Sequence, residues 1–205
     1  GSRTEVDHAA HADGPRRAKA GPGASHASDE GTPTLECLPD PLLAELGPAG
    51  GSSLPLRSRR PTLLGEFDRP DRAAVLDLAF DYARSGLGAE AGAVVDAFDV
   101  SGPEAAMIRA LASVLDGRRA PVPPLLDVPG CGGLHALWQA RALVLAGDPA
   151  AALDKASAAR AALTDLAPPL RRRLATTFAH AALDGGRHDV AEDFFGLAWR
   201  GTPSA

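Results

Sequence analysis

The sequence is poor in aromatic side chains, in cysteine and in long apolar runs. Aromatic residues make up 4% of its 205 residues although 45% are hydrophobic, because alanine supplies much of the apolar fraction. Small side chains let helices approach closely, so this composition favours helix-on-helix packing. No run approaches the roughly 20 apolar residues that cross a bilayer, so no membrane span is expected. With a net charge of -5, the chain lacks the basic face that general nucleic-acid binding needs.

Residues 1–34 have the composition of a disordered tail. Val6 is the only large aliphatic side chain among them, and such a segment cannot bury enough surface to offset its chain entropy. Its three histidines, His8, His11 and His26, are interpreted as solvated side chains because no helix is expected to hold them together. We therefore expect neither a metal nor another cofactor.

Residues 35–69 are predicted to be an irregular segment packed on the helical domain. The stretch Asp40–Gly47 has a capping aspartate, a first-turn proline, an apolar face and a terminal glycine, which predicts one short helix. Arg57, Arg59 and Arg60 form a small basic cluster. Such a cluster is typical of a solvated loop, and binding of an acidic partner is the alternative interpretation.

Residues 70–205 are predicted to be helical, because apolar residues recur at the helical period between glycine turns. Prolines exclude a regular helix over 120–129. The central stretch 134–163 predicts two helices, and Asp189 with Glu192 resembles a capping box at the start of the last one. Five side chains are predicted to be largely buried: Trp138, Leu145, Leu153, Phe178 and Phe194.

The helix pairs resemble tetratricopeptide repeats, which have a period of about 34 residues. The resemblance covers about residues 70–203 and is degenerate, because the helix that opens at Pro103 lacks a partner. The first pair carries it on Leu78, Ala79, Tyr82, Gly86, Ala91, Val95 and Pro103. The last pair carries it on Phe178, Ala179, Ala191, Phe195, Ala198 and Pro203. The resemblance implies an all-α array of antiparallel helical hairpins with a concave protein-binding face and no catalytic residues. Another helical-hairpin solenoid is the alternative.

The two cysteines, Cys37 and Cys131, define two competing hypotheses. A disulfide between them would hold a poorly anchored segment, and glycines on both sides of Cys131 leave room for a second chain. Alternatively, Cys131 precedes a helix whose dipole could lower its thiol pKa, and His135, one turn later, could act as the base of a small enzyme or redox protein. We expect the disulfide.

The sequence favours a non-enzymatic adaptor or scaffold over an enzyme. The chain begins Gly1-Ser2, as tag removal would leave it, so we expect part of a larger protein. A disulfide would favour a periplasmic or extracellular location over the cytoplasmic alternative. The expected partner is a protein or peptide, with a cell-envelope assembly as the suggested setting. The run Arg171–Arg173 points in too many helix directions to hold one ligand and is interpreted as surface charge.

Overall fold

The structure is a computed structural model that describes residues 36–48, 63–64, 69–117 and 119–200. Over these ranges it is helical, with one isolated antiparallel bridge between Leu64 and Pro70 and no strand of a sheet. The prediction of an all-α fold is therefore confirmed. The three arginines of the basic cluster, Arg57, Arg59 and Arg60, lie outside the described residues.

Eight α-helices and two short 3₁₀ helices account for the regular structure of the described ranges. The α-helices are α1 (Asp40–Ala44), α2 (Arg72–Arg84), α3 (Gly88–Ala97), α4 (Pro103–Leu115), α5 (Gly133–Ala146), α6 (Pro149–Ala158), α7 (Pro168–Asp184) and α8 (His188–Trp199). The 3₁₀ helices are Pro124–Leu126 and Arg160–Asp165.

Local sequence signals explain most helix ends. The Asp71 carboxylate caps α2 by accepting hydrogen bonds from the backbone amides of Ala73 and Ala74, at 3.0 and 3.3 Å. Prolines open α4, α6 and α7, where no amide donor is lost. Gly147 ends α5 in the left-handed conformation, with φ 91°.

Two predicted helix boundaries were wrong. The second central helix does not run regularly to Leu163; α6 ends at Ala158, and a 3₁₀ helix continues the chain and buries Leu163. The last helix does not begin with an Asp189 cap. Its N-cap is Arg187, whose amide donates to the Ala182 carbonyl at 2.8 Å to close the preceding turn. Asp189 therefore falls in the first helical turn, where its charge still favours the helix dipole.

Four helices form a closed ring. Helix α2 packs against α4, α4 against α5, α5 against α7, and α7 returns to α2. Helices α3 and α6 each lie between two ring helices that are their neighbours in sequence, and α8 packs on α7. The contact between α2 and α7 joins the first and last hairpins, which an open array would hold apart. We call α2, α4, α5 and α7 the ring.

One continuous core holds the ring and its outer helices together. Of the five predicted core residues, Trp138, Leu153, Phe178 and Phe194 are buried. The fifth, Leu145, is less completely buried and packs at the edge of the core, where it lines a cavity near the end of α5. Alanines keep α7 and α8 close, and the Phe178 and Phe194 rings meet across them at 5.4 Å between centroids.

In a complete hairpin, α4 would be followed by a partner helix. Here the proline-rich segment, residues 120–129, takes that place. Its 3₁₀ helix packs against α4 and α5 and buries Leu126 completely. Helix α1 packs against α5, and the Leu46 carbonyl accepts a hydrogen bond from the Ala167 amide at the start of α7.

Candidate functional site

A disulfide joins Cys37 to Cys131, as predicted from the sequence. Cys131 is buried just before α5, whereas Cys37 is exposed. The bond closes a loop across a sequence separation of 94 residues, which in the chain-entropy model is worth about 4 kcal/mol of stability. It fixes one end of a segment, residues 37–47, that we call the strap.

His135 reinforces the disulfide from one turn further along α5. Its Nδ1 accepts a hydrogen bond from the Leu38 backbone amide at 2.9 Å, which fixes the neutral imidazole. The side chain is 2% exposed. Burial is the main cause that lowers the His135 pKa. The nearby Leu126 backbone raises this pKa, and the positive charge of Lys155 lowers it further. Protonation at Nδ1 would break the hydrogen bond from the Leu38 amide, so the folded strap requires the neutral form of His135.

The geometry bears directly on the proposed thiol chemistry of Cys131. The Cys131 sulfur is bonded to Cys37, and His135 holds the strap rather than a thiol. The nucleophile and base suggested by the sequence are therefore both engaged in structural contacts in this oxidised form. Thiol catalysis would require reduction of the disulfide and release of the Leu38 amide.

The other end of the strap is held by polar contacts. One is the hydrogen bond that the Leu46 carbonyl accepts from the Ala167 amide. In addition, the guanidinium of Arg84 binds the Glu45 carbonyl at 2.5 Å and the Glu45 carboxylate at 3.0 Å. Leu43 and Leu46 are fully buried between these anchors. The strap thus ties the start of α5 to the end of α2 and the start of α7.

The run Arg171–Arg173 is not simply surface charge, contrary to the interpretation from the sequence. Arg171 is buried and donates to the Arg200 carbonyl at 2.5 Å, and Arg172 stacks over the Trp199 ring at 4.6 Å. The three side chains do diverge, as expected, but each makes a specific contact.

Arg173 connects α7 to the C-terminal ends of two other ring helices. Its guanidinium donates to the Gly86 carbonyl beyond the end of α2 and to the Leu115 carbonyl at the end of α4, the latter at 2.6 Å, and it lies 3.5 Å from the Asp116 carboxylate. Carbonyls at helix C-termini lack intrahelical partners and favour cations. No sequence motif marks this role, because the acceptors lie 58 and 87 residues away.

An apolar groove runs across α2 and α3. Its volume is about 440 Å³. Leu63, which precedes α2 in the sequence, forms part of the groove wall, and the Leu63 carbonyl accepts a hydrogen bond from the Asp71 amide at 2.9 Å. The groove residues are Leu63, Leu78, Tyr82, Glu90, Ala93, Val94, Ala97 and Phe98. We call this surface the outer groove.

The fold and its contacts define an all-helical domain stapled by a disulfide. No protein-family model matches the chain, and neither the curated proteins nor the solved structures contain a significant match. In the described ranges, no helix has both the length and the apolar character needed to cross a membrane. The same ranges contain no cluster of three or more His, Cys, Asp or Glu side chains placed to hold a metal ion.

Proposed function

We propose that this chain is a non-enzymatic protein-binding domain, an adaptor or scaffold in a larger extracytoplasmic protein. The outer groove carries the proposal, because it is an open apolar depression and the chain already packs one of its own side chains, Leu63, into the groove wall. The neighbouring Leu64 is 49% exposed. A face that accepts an apolar side chain in this way has the shape and chemistry of a peptide-docking surface.

The groove specifies the kind of peptide that it would accept. Leu78, Val94 and Phe98 give an apolar floor, which suits a leucine-like side chain. The exposed Glu90 carboxylate on its lining suits a basic residue next to that side chain. We therefore assign the groove to an extended segment of a partner protein that carries an apolar residue flanked by Lys or Arg.

The tetratricopeptide-like assignment and the location belong to the same proposal. Helical hairpins that stack on one another support the repeat assignment, and the closure of the ring distinguishes this arrangement from an open array. The disulfide favours an oxidising compartment, because such bonds persist in the periplasm and outside cells. A cell-envelope assembly is therefore the setting in which we expect the partner.

A direct test removes Leu63 from the groove wall and supplies it again in a separate peptide. Leu63→Ala removes the side chain that the chain itself packs there, and a fluorescent peptide with the sequence of residues 60–65 serves as the probe in fluorescence polarisation. We expect saturable binding to the Leu63→Ala protein and at least about tenfold weaker binding to the wild type, where Leu63 competes at high effective concentration.

Two exposed alanines provide the matched variants. Ala93 lines the outer groove, whereas Ala106 lies on the exposed surface of α4. In the Leu63→Ala background, Ala93→Glu should abolish peptide binding and Ala106→Glu should leave it unchanged. Absence of saturable binding to the Leu63→Ala protein, or equal binding to both glutamate variants, would refute the docking assignment.

A further inference from the structure

The two halves of the disulfide differ in their exposure to solvent. Cys37 lies at the exposed start of the strap, whereas Cys131 is 9% exposed. Thiol–disulfide exchange depends on which sulfur atom an attacking thiolate can reach. A thiolate from solution therefore has better access to the Cys37 side of the bond. The chain contains no other cysteine, so the attacking thiol must come from another molecule.

The backbone on both sides of Cys131 leaves the surface beside the disulfide open. Gly130 and Gly132 are exposed, and a Cβ atom placed on either would meet no heavy atom within 4 Å apart from its chain neighbours. These two residues therefore put no side chain between the bond and solvent. Exposed disulfides are the ones that exchange with thiols, whereas buried structural disulfides resist reduction.

The position of Cys131 suits it to leave the bond as a thiolate. It directly precedes Gly132, the N-cap of α5, which is 14 residues long. The amide dipoles at a helix N-terminus stabilise a nearby thiolate, and a thiol with a lower pKa leaves faster. Helix α1, which follows Cys37, has five residues and a correspondingly weaker dipole. Attack on Cys37 thus places the negative charge on the sulfur that the longer helix favours.

The near end of the strap has little else to hold it once the bond opens. Within the described residues, its one further hydrogen bond to the ring is that of the Leu38 amide to His135 Nδ1. A cavity of about 660 Å³ already lies between the strap and the rest of the domain. Asp40 and Ala44 line it on the strap side, and Leu134 lines it on α5. Separation at this end therefore disturbs few contacts of the ring.

We propose that the Cys37–Cys131 bond is a thiol–disulfide exchange site, which an external dithiol opens to release the near end of the strap. A thiolate of the dithiol attacks the Cys37 sulfur and forms a mixed disulfide, and Cys131 leaves as the thiolate. The second thiol of the reductant then closes a disulfide within the reductant and displaces Cys37. Two electrons and two protons pass from the dithiol to the cysteine pair.

This site is separate from the outer groove and does not depend on the function proposed for that groove. The far end of the strap keeps its contacts with Arg84 and Ala167, so the released segment stays attached to the domain. Opening of the bond is therefore reversible: Cys37 remains tethered, and an oxidised dithiol closes the bond again by the reverse steps. The strap is then a segment whose attachment reports the thiol–disulfide balance of the surroundings.

The rate of opening by dithiothreitol tests whether the folded chain exposes the bond. The full chain is treated near neutral pH, with and without enough urea to unfold it, and free thiols are trapped by alkylation and counted by mass spectrometry. We expect the native rate to lie within about tenfold of the unfolded rate, whereas a bond that opened only after global unfolding would react at least about a thousandfold more slowly. A native rate outside that tenfold range would overturn the proposal.

Glutathione, a monothiol, identifies the sulfur that is attacked. After brief treatment and acid quenching, peptide mapping locates the glutathione adduct and the alkylated free thiol. We expect the adduct on Cys37 at least about tenfold more often than on Cys131. The urea-unfolded chain is the control, and the preference should fall there because both sulfur atoms are exposed. An equal distribution in the native chain, or an excess on Cys131, would overturn the assignment.

Hydrogen exchange tests whether opening of the bond releases the strap. Reduced wild type should exchange faster than oxidised wild type over residues 38–47 and should match Cys37→Ser/Cys131→Ser, while residues 150–182 stay protected. Oxidised dithiothreitol should restore the original pattern in wild type and leave the double variant unchanged. Unchanged exchange over 38–47 after reduction, or loss of protection over both ranges, would mean that the bond does not control the strap alone, and the proposal would fail.

Discussion

The ring and the strap are held to the same core by different means. The ring rests on many interlocking apolar side chains, with Trp138 and Phe178 fully buried among them. The strap buries Leu38, Leu43 and Leu46, and it depends otherwise on a disulfide, on the His135 bond to Leu38 and on contacts at its far end. The packing energy of the ring is spread over many residues. The strap depends on a few contacts, which reduction of the disulfide or protonation of His135 can break. The two regions should therefore respond to different perturbations.

The largest effect should come from emptying the core of the ring. Trp138→Ala should lower the free energy of unfolding by roughly 3 to 5 kcal/mol, because a fully buried aromatic side chain leaves a cavity. Urea denaturation followed by circular dichroism measures this. Trp199→Ala is the matched control, since Trp199 is 59% exposed, and should cost no more than about 1 kcal/mol. Equal effects of the two substitutions would contradict the difference in burial.

Removing the disulfide should loosen the strap and spare the ring. The double variant Cys37→Ser/Cys131→Ser should lose up to about 4 kcal/mol in the chain-entropy model. Hydrogen exchange should show faster exchange over residues 38–47 and continued protection over 150–182. Wild-type protein without reductant is the reference. Uniform acceleration across both ranges would show that strap and ring unfold together.

Breaking the Arg173 contacts tests how much ring closure depends on polar groups. Arg173→Met removes two hydrogen bonds to helix-end carbonyls and should cost about 1 to 3 kcal/mol, with part of the loss screened by solvent because the side chain is half-exposed. The control is Arg187→Met, which removes an exposed pair with Asp154 and should change stability by less than about 1 kcal/mol. If the control costs as much, Arg173 has no special role in closure.

The smallest effect should be a pH dependence specific to the strap. Burial lowers the His135 pKa below its ordinary value of 6.5, so the unfolded chain takes up a proton more readily than the folded one. His135 therefore contributes its full stability above about pH 6.5, and stability falls as the pH drops below that value. Denaturation midpoints at pH 7.5 and 5.5 should show the fall in wild type and less of it in His135→Gln. The same fall in both proteins would assign it to other groups.

The sequence predicted the elements better than their arrangement. Periodicity and caps placed most helices, because Asp71, Gly147 and the first-turn prolines act within a few residues. The closure of the ring depends on contacts between α2 and α7, which no local pattern encodes. The cysteine pair was predictable because Cys37 and Cys131 are the only two cysteines.

The candidate binding residues were harder to predict. Arg173 is one of three consecutive arginines, and its contacts became visible only with the positions of Gly86 and Leu115, whose carbonyls it binds. The outer groove likewise combines residues of α2 and α3 with Leu63, and no local pattern brings these segments together.

The contact between α2 and α7 has a consequence for cooperativity and for evolution. In an open repeat array, stability is close to a sum of terms between neighbours, so hairpins can be added or lost at either end. A closed ring has no such end, because every ring helix already packs against two others. Insertion of another hairpin would separate α2 from α7, and loss of one would open the core. The ring should therefore unfold as one unit, and relatives of this domain should vary in loops and surface residues rather than in hairpin number.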